Sequence, residues 1–363
     1  MKKILCAALV PFLLAFCVAC GGSPSPSAPS AVATPSASVD PSPSAVTTPG
    51  ASVEPIIWEC LDQQNPGHLI NLFLLEWSDE VFEKTGGRLK INIRTPGELP
   101  FTVGEFFEAV SSNSAQMALC IVTANVAYLD AAGLTSGAFM ITDMDSYNTV
   151  MDILAPYITE TFTKRNVIDL FNLSHHSQHI FGKGAVPSSV ADMKGLMIRT
   201  GGPEQAKFWK EFGITPVSMD NSEIISALNR NVINGMITSP ISAYTAKQYD
   251  SLDWHYVIDS QWLPIFGIVN QDAFNSLPQD IQKILKDTIE AKIPGYHESN
   301  DIAYEEYTKR LAEEGLETVY STPEEMAELK KMAIPIWDAH AQSIGGNAPE
   351  ALAKIKEALG LEG

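Results

Sequence analysis

Arg199 closes the apolar, strand-like run Leu196-Met197-Ile198. A guanidinium stays charged when dehydrated, and its planar fork can meet both oxygens of a carboxylate at once. Taken alone, an arginine ending a strand more often makes a surface or structural ion pair. A second chemical cluster is Leu173-Ser174-His175-His176-Ser177-Gln178-His179. Three imidazoles so close together have the composition of a metal site, but neighbouring residues of a strand point to opposite faces. No metal is expected there; one of these histidines or Gln178 could line a cleft instead. Cys60 and Cys120 each sit in an apolar strand-like run, so two buried thiols or a disulfide both stay open. The chain has no C-x-x-C pair, no G-x-S-x-G, no H-E-x-x-H and no phosphate loop. Neither an enzyme nor a cofactor is expected.

The elements that must position these groups belong to a chain of 363 residues, 45% hydrophobic and 18% charged, with ample apolar material for a core. Its formal net charge is −19. That excess of acid argues against nucleic acid and against anionic lipid surfaces, both of which need basic patches. If the ligand is an anion, its site must be a local exception to this field.

The amino terminus has its own logic. Lys2 and Lys3 precede an apolar run from Ile4 to Val18, too short for a comfortable membrane span and typical of a secretory signal, residues 1–19. The run ends Cys17-Val18-Ala19-Cys20-Gly21-Gly22, which resembles a bacterial lipobox with Cys20 as the lipidated residue. Residues 20–54 are then the lipidated cysteine and a Ser/Pro-rich stretch almost without charge. Such a segment cannot bury enough surface to fold, and its prolines favour extended polyproline II. At roughly 3.1 Å per residue it could reach on the order of 100 Å. The expected location is the cell membrane, lipid-anchored on its extracytoplasmic face.

Residues 55–363 alternate strand-like and helix-like pieces. Ile56 to Cys60 reads as a strand, and Leu69 to Lys84 carries apolar residues at helical spacing. Gly86 and Gly87 can end that helix in a left-handed turn. Leu89 to Ile93 alternates as a strand, Gly104 to Ser111 reads as a helix and Met117 to Val122 as a buried strand. Glu350 to Leu361 is an amphipathic helix expected to pack on the body. Strands separated by helices imply an α/β fold with a mixed or parallel sheet, whose ligands bind at the carboxyl ends of strands or between lobes.

Several motifs share one resemblance: Lys84-Thr85-Gly86-Gly87-Arg88-Leu89-Lys90, Gly97-Glu98-Leu99-Pro100, Asp192-Met193-Lys194-Gly195-Leu196-Met197-Ile198-Arg199, Phe208 to Val217, and Glu223 to Gly235. In that order the chain resembles the substrate-binding proteins of TRAP (tripartite ATP-independent periplasmic) transporters, the DctP-like family, from about Ile56 to the carboxyl terminus. The resemblance implies a two-lobed, periplasmic-binding-protein-like α/β fold with discontinuous lobes and a long connecting helix. Lobe I would span about 56–176 and 265–304, and lobe II about 177–264 and 305–363.

It implies further that Arg199 pairs with a ligand carboxylate. In the turn before Gly235, Asn231 takes a place where the family has glycine, and asparagine tolerates positive φ. Asn234 replaces an aspartate; Met236, Thr238 and Ser239 follow near a ligand-contact position. Some members carry a second arginine about twenty residues before the first; Gln178 and His179 stand in that region here, leaving one obvious cation. Glu76, Trp77 and Phe101 are candidates for the ligand's other end. The implied partners are a small organic acid and the TRAP membrane permease subunits. The alternatives are the binding lipoprotein of an ABC importer and a sensor that presents its ligand to a receptor.

Overall fold

The computed structural model describes residues 54–98 and 100–361. The expected signal, Cys20 and most of the Ser/Pro-rich stretch lie outside them. In chain order the elements are β1 (Ile56–Leu61), α1 (Leu69–Lys84), β2 (Leu89–Arg94), α2 (Phe106–Ser111), β3 (Met117–Ile121), α3 (Val122–Leu129), α4 (Met144–Lys164) and β4 (Val167–His175). Then follow β5 (His179–Gly182), β6 (Met197–Thr200), α5 (Pro203–Glu211), β7 (Thr215–Ser218), α6 (Ile224–Asn229), β8 (Gly235–Thr238), α7 (Pro240–Thr245) and β9 (Trp254–Val257). The last are β10 (Leu263–Asn270), α8 (Gln271–Ser276), α9 (Gln279–Glu313), β11 (Glu317–Tyr320), α10 (Pro323–Ile344) and α11 (Ala348–Ala358).

Two sheets result. The first has the order β2-β1-β3-β10-β4 and the second β11-β9-β5-β8-β6-β7. β1 runs parallel to β2 and β3, whereas β10 is antiparallel to β3 and β4. In the second sheet β5 is the antiparallel strand, set between β8 and β9. The chain crosses from the first sheet to the second between His175 and His179, and returns between Val257 and Leu263. The two crossings are laced together by backbone bonds from Gln178 N to Gln261 O (3.0 Å) and from Ser260 N to Gln178 O (3.1 Å).

Local sequence accounts for the elements near the site. α1 buries Ile70, Phe73, Leu74, Trp77 and Val81 along one stripe, and Gly86 and Gly87 end it at φ +64° and +79°. Asn231 adopts φ +54°, the conformation for which asparagine substitutes for glycine. In β10, Gly267 lies at a register shift where a Cβ would stand 2.3 Å from the Phe171 ring, so the strand can pass that ring only as glycine. α9 has 35 residues, about 52 Å at 1.5 Å per residue. It packs on α1 beside the first sheet and on α7 beside the second.

The carboxyl-terminal stretch divides differently from the expected grouping of 305–363. β11 joins the second sheet, but α11 packs on α4, with Leu352 and Ile355 in one apolar cluster with Val150, Leu154 and Ile158. Trp337 of α10 donates its Nε1 hydrogen to the Ala138 carbonyl at 2.9 Å. Among the described residues no helix is long and apolar enough to cross a membrane.

Cys60 and Cys120 are both free and fully buried. They lie on neighbouring strands but enter different apolar clusters, because Cys60 shares a face with Met117 and Cys120 lies on the other face of β3. No disulfide can join opposite faces of one sheet. Both thiols are therefore expected to stay silent towards a thiol reagent in the native protein and to react on unfolding without reductant. A non-reduced mass two hydrogens short would contradict this.

Candidate ligand-binding site

The loops at the carboxyl ends of β1, β3, β4, β6, β7 and β8 converge on one cavity of about 90 Å³ between the two sheets. This is where an α/β sheet presents ligand-binding groups. Drug-sized ligands occupy roughly 300–1,000 Å³, so the cavity suits something considerably smaller. From the first sheet's side come Gln63 and Gln64 after β1, Thr123 at the start of α3, and His175 at the end of β4. From the second sheet's side come Arg199 of β6, Gln205 of α5, Asp220 after β7, Thr238 of β8 and Ser242 of α7. Gln178 enters from the crossing.

Arg199 is 8% exposed. Its Nε donates to the Met219 carbonyl at 2.9 Å and its Nη1 to the Ile237 carbonyl at 3.4 Å. Among the described residues no carboxylate forms an ion pair with it. Burial lowers its pKa to about 10, with Asp220 and Glu223 acting in the opposite direction. The group thus remains a cation at neutral pH. Two backbone carbonyls, and among the described residues no carboxylate, hold this buried cation.

Around it the lining is mostly neutral. Burial brings the His175 pKa down to about 4, so its imidazole is uncharged at pH 7. Gln205 accepts from Gly201 N at 2.8 Å and donates to Gln261 Oε1 at 3.2 Å, which fixes the loop that follows Arg199. On the opposite wall Asp62 holds the Gln64 loop. Its carboxylate accepts from Gln64 N at 2.9 Å and from Asn71 Nδ2 at 3.0 Å. Burial pushes Asp62 up to about 6, although both hydrogen bonds favour the charged form. The folded chain then binds this proton more tightly than the unfolded chain. The associated stability is present below about pH 4 and is lost as pH rises through about 6. Relative to Asp62→Asn, the wild type is expected to lose about 2 kcal/mol between pH 4 and pH 7. Parallel denaturant titrations of the two proteins measure the difference, and a pH-independent gap would refute it.

The structure brings Arg199, Gln178 and Thr238 together in the cavity and adds His175. Ser239 stands one step behind, capping α7 through Ser242 N at 3.2 Å. Phe101 lines a neighbouring recess that shares Asp220 and Asn221 with the cavity. Five expected residues lie elsewhere. Asn234 is structural: its Oδ1 accepts from Met197 N at 2.9 Å and its own N donates to Met197 O. Met236 packs on Phe181, Ile224 and Leu228 in the core of the second half. His179 faces away, hydrogen-bonded to His255 Nε2 at 2.7 Å and to Asp259 Oδ1 at 3.1 Å. Trp77 is fully buried against α9, donating to Thr288 Oγ1 at 2.9 Å. Glu76 is exposed on the outer side of α1. Among the described residues no group of three or more acidic, histidine or cysteine side chains could hold a metal ion.

Gln63, Thr123, Gln205, Asp220 and Ser242 were not foreseen. One signal was available for Ser242: Ser239-Pro240 reads as a helix cap followed by proline at the first position, which sets Ser242 in the first turn of a helix leaving β8.

Two sheets, with the chain passing between them at β4–β5, at β9–β10 and along α9, enclose a polar cleft that holds Arg199. Residues 62–343 match the family described as bacterial extracellular solute-binding protein, family 7, and the chain belongs to that family. It is 23% identical over 231 residues to the ectoine-binding periplasmic protein of Halomonas elongata, covering 62% of this chain and 63% of that one. The chain spans about 63% of the length of two of the curated relatives it matches and 43% of a third.

Its fold is similar to a Bordetella pertussis extracytoplasmic solute receptor binding pyroglutamic acid, with TM-score 0.75 and 20% identity over 83% of this chain and 99% of that one. It is likewise similar to a periplasmic solute-binding protein of Shewanella oneidensis with bound succinate, with TM-score 0.75 and 17% identity over 83% of this chain and all of that one.

Proposed function

We propose that the protein captures a small organic carboxylate outside the cytoplasm and delivers it to an ion-gradient-driven TRAP permease. The observation that carries this reading is Arg199, a buried cation facing the cavity with no carboxylate partner among the described residues. A ligand carboxylate supplies the missing counter-charge in a fork-to-fork pair. The two sheets are the cores of two lobes, and the laced crossings are the hinge between them. Ligand stabilises the closed arrangement because it touches both walls at once and so binds that arrangement more tightly. Lipidation at Cys20, with the Ser/Pro-rich stretch as a tether, would hold the receptor at the membrane.

A thermal-shift screen of the purified protein, unfolded and refolded to strip carried ligand, tests the reading. The panel holds monocarboxylates, dicarboxylates, aromatic acids, amino acids and neutral sugars. Carboxylates are expected to stabilise, by about 2.7 kcal/mol at a hundred times the dissociation constant. A shift with neutral sugars and none with any carboxylate would overturn it.

A further inference from the structure

Ser242 is 6% exposed and lines the cavity from α7. Its hydroxyl oxygen has two neighbours, and both are donors. Ser239 Oγ accepts from Ser242 N and gives its own hydrogen to Ser242 Oγ at 3.1 Å. His68 reaches Ser242 Oγ from the other wall through Nε2, at 3.3 Å. The tautomer of His68 is fixed by its other nitrogen, which accepts from Ile70 N at 3.2 Å as the cap of α1. With Nδ1 an acceptor, Nε2 must carry the hydrogen and donate it. Both lone pairs of the Ser242 oxygen are thereby engaged, and its own hydrogen remains to be given. No acceptor for it is found among the described residues. A hydroxyl in this state cannot act as an acceptor towards a ligand; it can only donate.

The rest of the cavity narrows the class further. Among the described residues that line it, Arg199 and Asp220 carry the charges, and His175 is neutral. A second carboxylate on the ligand would enter without a second cation and near the Asp220 carboxylate. Desolvating that charge without a partner is far more costly than seating a neutral oxygen.

Resting on the proposed carboxylate reading, we infer that Ser242 is a specificity-determining donor. It selects monocarboxylates that carry a neutral hydrogen-bond acceptor, a carbonyl or hydroxyl oxygen, over dicarboxylates and over plain apolar acids. Because His68 belongs to the first wall and Ser242 to the second, the selecting hydroxyl is set in its donor role when the two walls meet. Ligand choice and closure therefore share one hydrogen-bond chain, from Ile70 N through His68 to Ser242.

The test is calorimetric titration of the stripped protein and of Ser242→Ala with three probes of similar size: pyroglutamate, cyclopentanecarboxylate and succinate. Pyroglutamate carries one carboxylate and a ring carbonyl, cyclopentanecarboxylate the same charge without the carbonyl, and succinate two carboxylates. The wild type is expected to bind pyroglutamate at least tenfold more tightly than either other probe. Ser242→Ala is expected to weaken pyroglutamate about 10- to 100-fold and to leave cyclopentanecarboxylate within a factor of about three. Equal weakening of both monocarboxylates would make Ser242 a structural residue and overturn the inference. Preference for succinate or for cyclopentanecarboxylate would also overturn it, while leaving the carboxylate reading standing. Binding of none of the three, in a protein that binds neutral solutes, would sink both together.

Discussion

Arg199→Ala is expected to weaken carboxylate binding roughly a hundred- to a thousandfold, the cost of truncating one partner of a buried, hydrogen-bonded charge pair. The same substitution is expected to do no harm to the unliganded protein. In the absence of ligand Arg199 is a desolvated cation held by the Met219 and Ile237 carbonyls, so its removal relieves the desolvation of a charge and offsets the loss of those two hydrogen bonds. A large loss of affinity with little change in stability separates a ligand-binding arginine from a structural one. Arg199→Lys should recover little affinity, since an ammonium keeps the charge but loses the fork. Titration calorimetry and thermal melts of the stripped proteins give both readouts. An alanine variant that binds normally, or one that melts far below the wild type, would return Arg199 to the status of a structural side chain.

Gly202→Ala should be the second most damaging change, for a different reason. Gly202 lies between Arg199 and α5, in extended backbone at φ 178°, a conformation open to any residue. Its difficulty is steric. A Cβ there would stand 2.1 Å from the carbonyl oxygen of Thr123, at the start of α3 on the opposite wall. Backbone cannot swing aside as a flexible side chain can, so the walls would have to separate. Affinity is expected to fall about tenfold or more, as overpacking commonly costs 1–3 kcal/mol. The melting temperature without ligand should barely change, because a parted cleft has no such contact. Small-angle scattering of the variant should show less compaction on saturation with ligand than the wild type. A variant that is destabilised without ligand yet binds normally would show that the Thr123 contact exists in every state of the protein.

What the sequence disclosed follows the range of each signal. The bounds of α1 were legible, because helical spacing ends at a double glycine and both signals are local, but its buried face was not: Leu72, Leu75 and Phe82 are apolar at helical spacing and exposed, while Ile70, Phe73, Leu74 and Trp77 are buried. Arg199 was legible because it closes a motif with an ordered context around it. The side that Met236 takes is not legible, because β8 has four residues, too few for alternation to say which face is buried. Trp77 and Glu76 are no more than candidates in the sequence, because an aromatic or acidic residue on an amphipathic helix looks the same whether its neighbour is a ligand or another helix; here the neighbour of Trp77 is α9, more than two hundred residues away. Thr123 and Gln205 gave no local sign of function, and Ser242 only the sign of its place after a Ser-Pro helix start. Each is a polar residue in the first turn of a helix that follows a strand, and its role depends on what the opposite wall brings to it.

The acidic neighbours of Arg199 bear on speed as well as on charge balance. Asp220 lines the cavity and Glu223 lies close by, in a chain of net charge −19. An approaching carboxylate meets a repulsive field before it reaches the guanidinium. Added salt screens that field over about 8–10 Å at physiological strength and leaves the buried pair almost untouched. Capture should therefore quicken as ionic strength rises while release stays nearly constant, so this receptor would load faster in brine than in fresh water.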